Sequence, residues 1–233
     1  MGFNRPQWKF LNKSFTKTGL LKDLRKLPKA GVIHEEEGYY GKEMLELGCQ
    51  QIRESVRQSL KSKSNAKSYF KSIGIKDTSI DIKGCNYSKV VDLREPMSKK
   101  FHNKFDIITN SGTTEHVVPL EGQYQAFKNI HICSKKGAVM IHILPGIGKY
   151  YGHCQTYYDY KFFKKLADLN NYKMVLLEPV KDRNTFSLIG ICMIKMEDND
   201  FSNDKKNFYK NIQFINKEKV KEHRNNKQKY MIE

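Results

Sequence analysis

The sequence predicts an α/β protein: a seven-stranded, mostly parallel sheet with an antiparallel last strand and helices on both faces. Three observations carry this. Short, nearly continuous apolar runs alternate along the chain with segments of helical periodicity, the pattern of a helix-covered parallel sheet. The first four runs end in polar groups, namely Glu46 with Gly48, Asp81, Asp92 and Asn110. In such sheets ligands bind at the carboxyl ends of the strands. The last two runs, 173–177 and 186–194, are joined only by residues 178–185, a connection that favours an antiparallel hairpin over a crossover.

Residues 1–40 form a basic, turn-punctuated lead-in, expected to be a helical lid or to pack at the sheet edge. Trp8, Phe10, Leu11 and Phe15 give one amphipathic face. Leucines at helical spacing over 19–27 predict a second helix that Pro28 ends. Residues 44–47 form the first strand and stop at Gly48, where the missing Cβ allows a sharp turn and close approach of a ligand. Ile52, Val56 and Leu60 mark one helix face, and Ala66, Tyr69, Phe70 and Ile73 a second helix closed at Gly74. Strands are predicted over 78–83, 89–93 and 105–112. A helix through Tyr124, Phe127, Ile130 and His131 is expected to end in a basic turn at 135–137, capped by Gly137. The fifth strand, 138–144, stops at Pro145, and Tyr160, Phe163, Leu166 and Leu169 mark another helix. Residues 41–196 thus read as the central domain. Residues 197–233 read as a charged extension, a peripheral helix fading into a tail.

Composition bounds the function. Forty-two Lys+Arg against 25 Asp+Glu give a net charge of +17, which attracts nucleic acid, anionic membrane or acidic substrates. Lysine greatly outnumbers arginine, however, and base readout leans on arginine forks. No apolar run is long enough to span a bilayer and the first residues lack a signal core, so a soluble, cytoplasmic chain is expected. The five cysteines, at 49, 85, 133, 154 and 192, are scattered without CxxC or Cys/His clusters. Buried free thiols are expected, with neither a disulfide framework nor a metal site.

The order of these motifs resembles the class I S-adenosylmethionine (SAM)-dependent methyltransferases, with a Rossmann-like sheet. Met44-Leu-Glu-Leu-Gly-Cys49 is similar to the first motif of that superfamily, and Asp81 in Ser79-Ile-Asp-Ile82 to its ribose-binding acid. Asp92 and Leu93 in Val90-Val-Asp-Leu93 match the adenine side. Phe105-Asp-Ile-Ile108 with Thr114-Glu-His-Val117 resembles the fourth motif and the turn after it. Two departures stand out: Gln50 replaces the second glycine, and the interval from Gly48 to Asp81 is long enough to need an inserted helix.

The resemblance implies SAM as cofactor, held by Glu46, Gly48, Gln50, Asp81, Asp92, Leu93 and Asn110. A ribose diol needs a carboxylate acceptor, and methyl transfer needs in-line positioning more than metal or covalent catalysis. His116 after strand four and His153 after strand five are the candidate general bases. His142, inside strand five, reads as a satisfied core histidine. Tyr151, Tyr157 and Tyr158 are candidates to wall an acceptor pocket. The expected acceptor is a small molecule or glycan, methylated on oxygen or nitrogen. The alternatives are an RNA methyltransferase and a non-catalytic basic nucleic-acid-binding domain with a degenerate pocket. A nicotinamide-dependent oxidoreductase is disfavoured because residues 48–53 lack Gly-x-Gly-x-x-Gly.

Overall fold

Alternation along the strands decides which residue faces which layer. In the computed structural model, which describes residues 2–22, 26–62, 65–85, 87–147, 152–182 and 186–229, the chain opens with β1 (Gly2–Phe3) and α1 (Arg5–Lys17). It continues through β2 (Glu43–Leu47), β3 (Gln51–Ile52), α2 (Glu54–Leu60) and α3 (Ala66–Ser72). Then come β4 (Lys76–Asp81), β5 (Ser88–Val90), β6 (Phe105–Ser111), α4 (Glu121–Cys133) and β7 (Ser134–Pro145). The chain closes with β8 (Thr156–Tyr158), α5 (Tyr160–Leu169), β9 (Tyr172–Asp182), β10 (Phe186–Lys195), α6 (Lys205–Tyr209), β11 (Ile212–Phe214) and α7 (Lys217–Lys229).

The central sheet has seven strands in the order β5-β4-β2-β6-β7-β10-β9. Pairings from β5 to β7 are parallel, and β10 is antiparallel to both β7 and β9. The expected sheet and its terminal hairpin are therefore both present. Because side chains alternate, Leu45, Leu47, Ile108 and Met140 face α4, α5 and α6, packing on Phe127, Phe162 and Phe208. Met44, Ile107, Val139 and Ile141 face α1, α2 and α3, packing with Phe10, Leu11, Phe15, Val56 and Phe70. The two apolar layers bury most of the large side chains, each contributing about 1.5–3 kcal/mol.

The lead-in helix α1 packs across β7, β9 and β10. Its start is set by a capping box in which Asn4 Oδ1 accepts from Gln7 N (3.1 Å) and Gln7 Oε1 from Asn4 N (2.9 Å). The second helix expected over 19–27 is absent among the described residues of that stretch, where Gly19 adopts φ +75° and the chain turns.

Two more expectations change. α4 ends at Cys133, and residues 135–137 form a bulge instead of a last helical turn. Pairing with β6 jumps from Phe105 opposite Ser134 to Ile107 opposite Val139, and Gly137 supplies φ +81°. The third strand is confined to Ser88–Val90, so the stretch around Asp92 is a turn. The C-terminal extension is more built than its charge implies. Phe201 and Phe208 join the core beside Tyr124, and β11 pairs with β8.

Close approach of α1 to the sheet depends on Gly190 in β10. A Cβ there would lie 2.6 Å from Val180 Cγ2 and 2.8 Å from Phe10 Cε2. Gly190→Val is expected to destabilise the protein by about 1–3 kcal/mol through overpacking, read as a lower urea midpoint with an unchanged slope.

Candidate active site

The carboxyl ends of β2 and β4, the turn after β5 and the turn after β6 surround a cavity of about 600 Å³, lined by residues 48–50, 80–83, 91–94, 112–113 and 116–118. Its floor is the turn leaving β2. Gly48 has φ +83°, a conformation that L side chains rarely adopt, and a Cβ there would meet Thr113 Oγ1 at 2.5 Å. Gly48 N donates to Ile80 O (2.7 Å). The carbonyl of Leu47 accepts from Thr113 Oγ1 (2.7 Å) and from Gln50 Nε2 (2.9 Å). Gln50, which stands where the usual motif has glycine, thus closes the turn with its side chain.

Glu46 lies behind this turn, fully buried and off the cavity wall. Its Oε1 accepts from Gln50 N and Ser79 Oγ, both at 3.1 Å. Its other oxygen has no partner, and neither oxygen of buried Asp77 has one. Burial, then the charge of Asp77, pushes the Glu46 pKa well up. Burial raises Asp77 to about 7 against the pull of Lys67 and Lys71. Glu46 therefore organises the turn from behind and does not reach the cavity.

Asp81 reaches the cavity wall. Its Oδ2 accepts from Cys49 N (3.1 Å) and its Oδ1 from Lys83 N (2.9 Å), so two main-chain amides orient the carboxylate and leave lone pairs for a ligand. Asp92 and Leu93 also line the cavity. Asp92 is gripped by Arg94, whose Nε lies 3.0 and 2.9 Å from the two carboxylate oxygens and whose Nη2 lies 2.5 Å from Oδ2. That hydrogen bonding holds the Asp92 carboxyl below its ordinary range. Leu93 is placed by buried Asn129 of α4, which donates to Leu93 O (3.0 Å) and Glu95 O (2.8 Å) and accepts from Met97 N (3.1 Å).

Sequence reasoning passed over both Arg94 and Asn129. Arg94 carried a signal in its adjacency to the strand-end acid, whereas Asn129 sits mid-helix with none.

Asn110 is buried away from the cavity. It donates to Thr114 Oγ1 (2.9 Å), bonds His142 Nδ1 (3.1 Å) and accepts from Thr114 N (3.3 Å), so it orders the turn after β6. His142 is fully buried and its pKa falls to about 3 through burial; only one of its nitrogens is bonded, so it is half satisfied. His116 lines the cavity, its pKa lowered chiefly by burial. His153 does not line it but stacks edge to face on His116 at 4.9 Å between centroids.

Tyr157 and Tyr158 are 0% exposed and do not line the strand-end cavity. β8 is held by β11 on one side and by the end of β7 on the other. Tyr158 Oη donates to Gln123 Oε1 (2.7 Å) and Tyr157 Oη to Cys154 O (3.0 Å). Tyr151 lies outside the described residues.

The cysteines give a further correction. Cys49 and Cys85 form a disulfide that ties the glycine turn to the loop after β4, while Cys133, Cys154 and Cys192 are free and buried. The sequence separation hid a spatial neighbourhood created by the adjacency of β2 and β4. In a reducing cytoplasm the pair would stand as two thiols.

A seven-stranded sheet in this order, with its antiparallel hairpin and a strand-end cavity, is the fold of the class I SAM-dependent methyltransferases. No protein-family model matches the sequence, and no curated protein does. Among solved structures, the chain is similar to the N-methyltransferase NodS from Bradyrhizobium japonicum in complex with S-adenosylhomocysteine (SAH). The TM-score is 0.53 and the identity 11%, over 83% of this chain and 89% of that one. It is also similar to the 1,6-didemethyltoxoflavin-N1-methyltransferase of Burkholderia thailandensis with bound 1,6-didemethyltoxoflavin and SAH. There the TM-score is 0.51 and the identity 12%, over 68% and 72% of the two chains.

Two expected outcomes follow from the geometry. Non-reducing thiol counting on the native, unfolded-in-denaturant protein should find three free cysteines, and Cys85→Ser should destabilise it by about 2–4 kcal/mol in denaturant titration. The buried acids give a pH signature. An acid with a raised native pKa holds extra protons in the folded state, so stability is fully present below about 4 and declines as pH rises through the native value. For Asp77 that decline runs from about 4 to about 7. The melting temperature should fall between pH 5 and 7.5, and Asp77→Asn should flatten the slope.

Proposed function

We propose that the protein is a SAM-dependent methyltransferase acting on an oxygen or nitrogen of a small-molecule or glycan-like acceptor. The observation that carries this reading is the Gly48 turn beside Asp81 on the wall of the strand-end cavity, with the Asp81 carboxylate oriented by Cys49 N and Lys83 N. The donor set fits the cofactor. A side chain at position 48 would collide with Thr113, so the turn stays bare main chain at the cavity floor, and the cavity is of the size that small-molecule sites have. SAM, when bound, supplies an activated methyl group on a sulfonium.

The chain's own part is binding, orientation and proton acceptance. Asp81 accepts from the ribose hydroxyls, and the Gly48 turn lets the main chain come close to the amino-acid portion. Asp92 and Leu93 flank the adenine end, where Arg94 spans from Asp92 toward Val118 O (3.4 Å). His116, on the cavity wall and with its pKa lowered chiefly by burial, is placed to take the acceptor's proton. SAM held by Asp81 and the Gly48 turn would supply the methyl group, and the acceptor's proton would pass to His116. His153 acts behind His116 by positioning, and the membership of Glu46 and Asn110 in the binding set is indirect, through the turns they order.

Calorimetric titration with SAH tests the reading. Saturable binding at one site per chain is expected, with Asp81→Ala at least tenfold weaker, since the truncation removes the oriented acceptor. Absence of saturable binding to the intact protein would sink it.

A further inference from the structure

The turn after β6 carries a buried carboxylate that positioning a methyl donor does not require. Glu115 lies in the 3-10 turn Thr114–His116 and is 1% exposed. Its Oε2 is buried with no hydrogen-bond partner. A carboxylate so placed is costly unless positive charge meets it, and no lysine or arginine pairs with it among the described residues. What surrounds it instead are two imidazoles. His116 Nε2 lies 3.8 Å and His153 Nε2 3.7 Å from Glu115 Oε1. One ligand atom from each of the three residues falls within 4.8 Å of the others.

We propose that Glu115, His116 and His153 bind a divalent transition cation of the zinc, cobalt(II) or iron(II) class. Two imidazoles and one carboxylate are the donor set such ions take, with positions left open for a further ligand. Magnesium and calcium favour all-oxygen sites and fit poorly. Ligand bonds of about 2.0–2.1 Å put neighbouring donors about 3.3 Å apart around a tetrahedral ion, close to the 3.8 and 3.7 Å from Glu115 Oε1 to the two imidazoles.

Both halves of the site are braced. Gln123 Nε2 donates to Thr114 O and Val117 O, each at 2.7 Å, on either side of the Glu115–His116 pair. On the other loop, Gly152 O accepts from Arg224 Nε (3.2 Å) and Nη2 (3.0 Å), which fixes the residue before His153. Because His116 also lines the cavity, an ion held by these three residues would lie beside that space. An acceptor hydroxyl bound there would be acidified and lose its proton to water. His116 then serves as a ligand, not as the base. Binding of the ion stands on this geometry; only its role in acidifying an acceptor rests on the methyl-transfer reading.

The test uses the full chain stripped with a chelator and titrated with Co²⁺, followed by visible absorption and equilibrium dialysis. One Co²⁺ per chain is expected, with Zn²⁺ displacing it. Glu115→Gln and His153→Ala should each weaken binding at least tenfold. Circular dichroism shows whether each variant folds; should Glu115→Gln fail to fold, His153→Ala decides. No binding at one equivalent, or equal binding by folded His153→Ala, would overturn the site, the latter placing the ion on other histidines. SAH titration of the same stripped protein separates the two readings. Co²⁺ binding without SAH binding supports the ion site alone, and SAH binding without Co²⁺ binding overturns it.

Discussion

The carbonyl of Leu47 is the point on which the site depends. It lies at the carboxyl end of a central strand, where a main-chain acceptor loses its ladder partner and must find another. Thr113 Oγ1 and Gln50 Nε2 both donate to it, while Gly48 N donates to Ile80 O. These bonds tie the ends of β2 and β4 to the turn after β6, and the cavity is the space left above them. Only glycine fits at 48, because Thr113 fills the place where a side chain would begin.

Much of this frame was legible from the chain alone. The strand runs, the hairpin and the polar strand ends follow from periodicity and linker length, and the long interval after Gly48 is filled by β3, α2 and α3 as its length demanded. What was hidden lies between segments distant in sequence. Cys49 meets Cys85 because β2 pairs with β4. Asn129 reaches the Leu93 carbonyl only once α4 lies under the turn after β5. Tyr157 and Tyr158 read as pocket walls from composition, yet β11, from a segment that looked like a fading tail, covers their strand.

Strand parity together with position along the strand explains why two acids close in space to the glycine turn play such different parts. Glu46 shares a face with Met44, toward α1–α3, so its carboxyl enters the core near Asp77, where burial raises its pKa. Asp81 has the same parity as Asp77, but it is the last residue of its strand, beyond the apolar cover. Its carboxylate is thus free to turn to the amides of Cys49 and Lys83. Position relative to the strand end, more than residue type, separates the acid buried in the core from the one on the cavity wall. The sequence motif marks both alike.

The C-terminal segment extends this logic to the far side of the cavity. Its charge and thin periodicity suggest an appendage, yet Arg224 of α7 holds Gly152 O, next to His153, and Phe214 of β11 pairs with Thr156 just beyond. His153 therefore reaches His116 and Glu115 through contacts made after the last strand of the sheet. Loss of α7 would leave the floor around Gly48 intact, because no residue of that floor bonds to α7 among the described contacts. It would release the loop that carries His153. The Gly48 turn and the His153 loop are in this way stabilised by different parts of the chain, the first by the strands' own ends and the second by the extension.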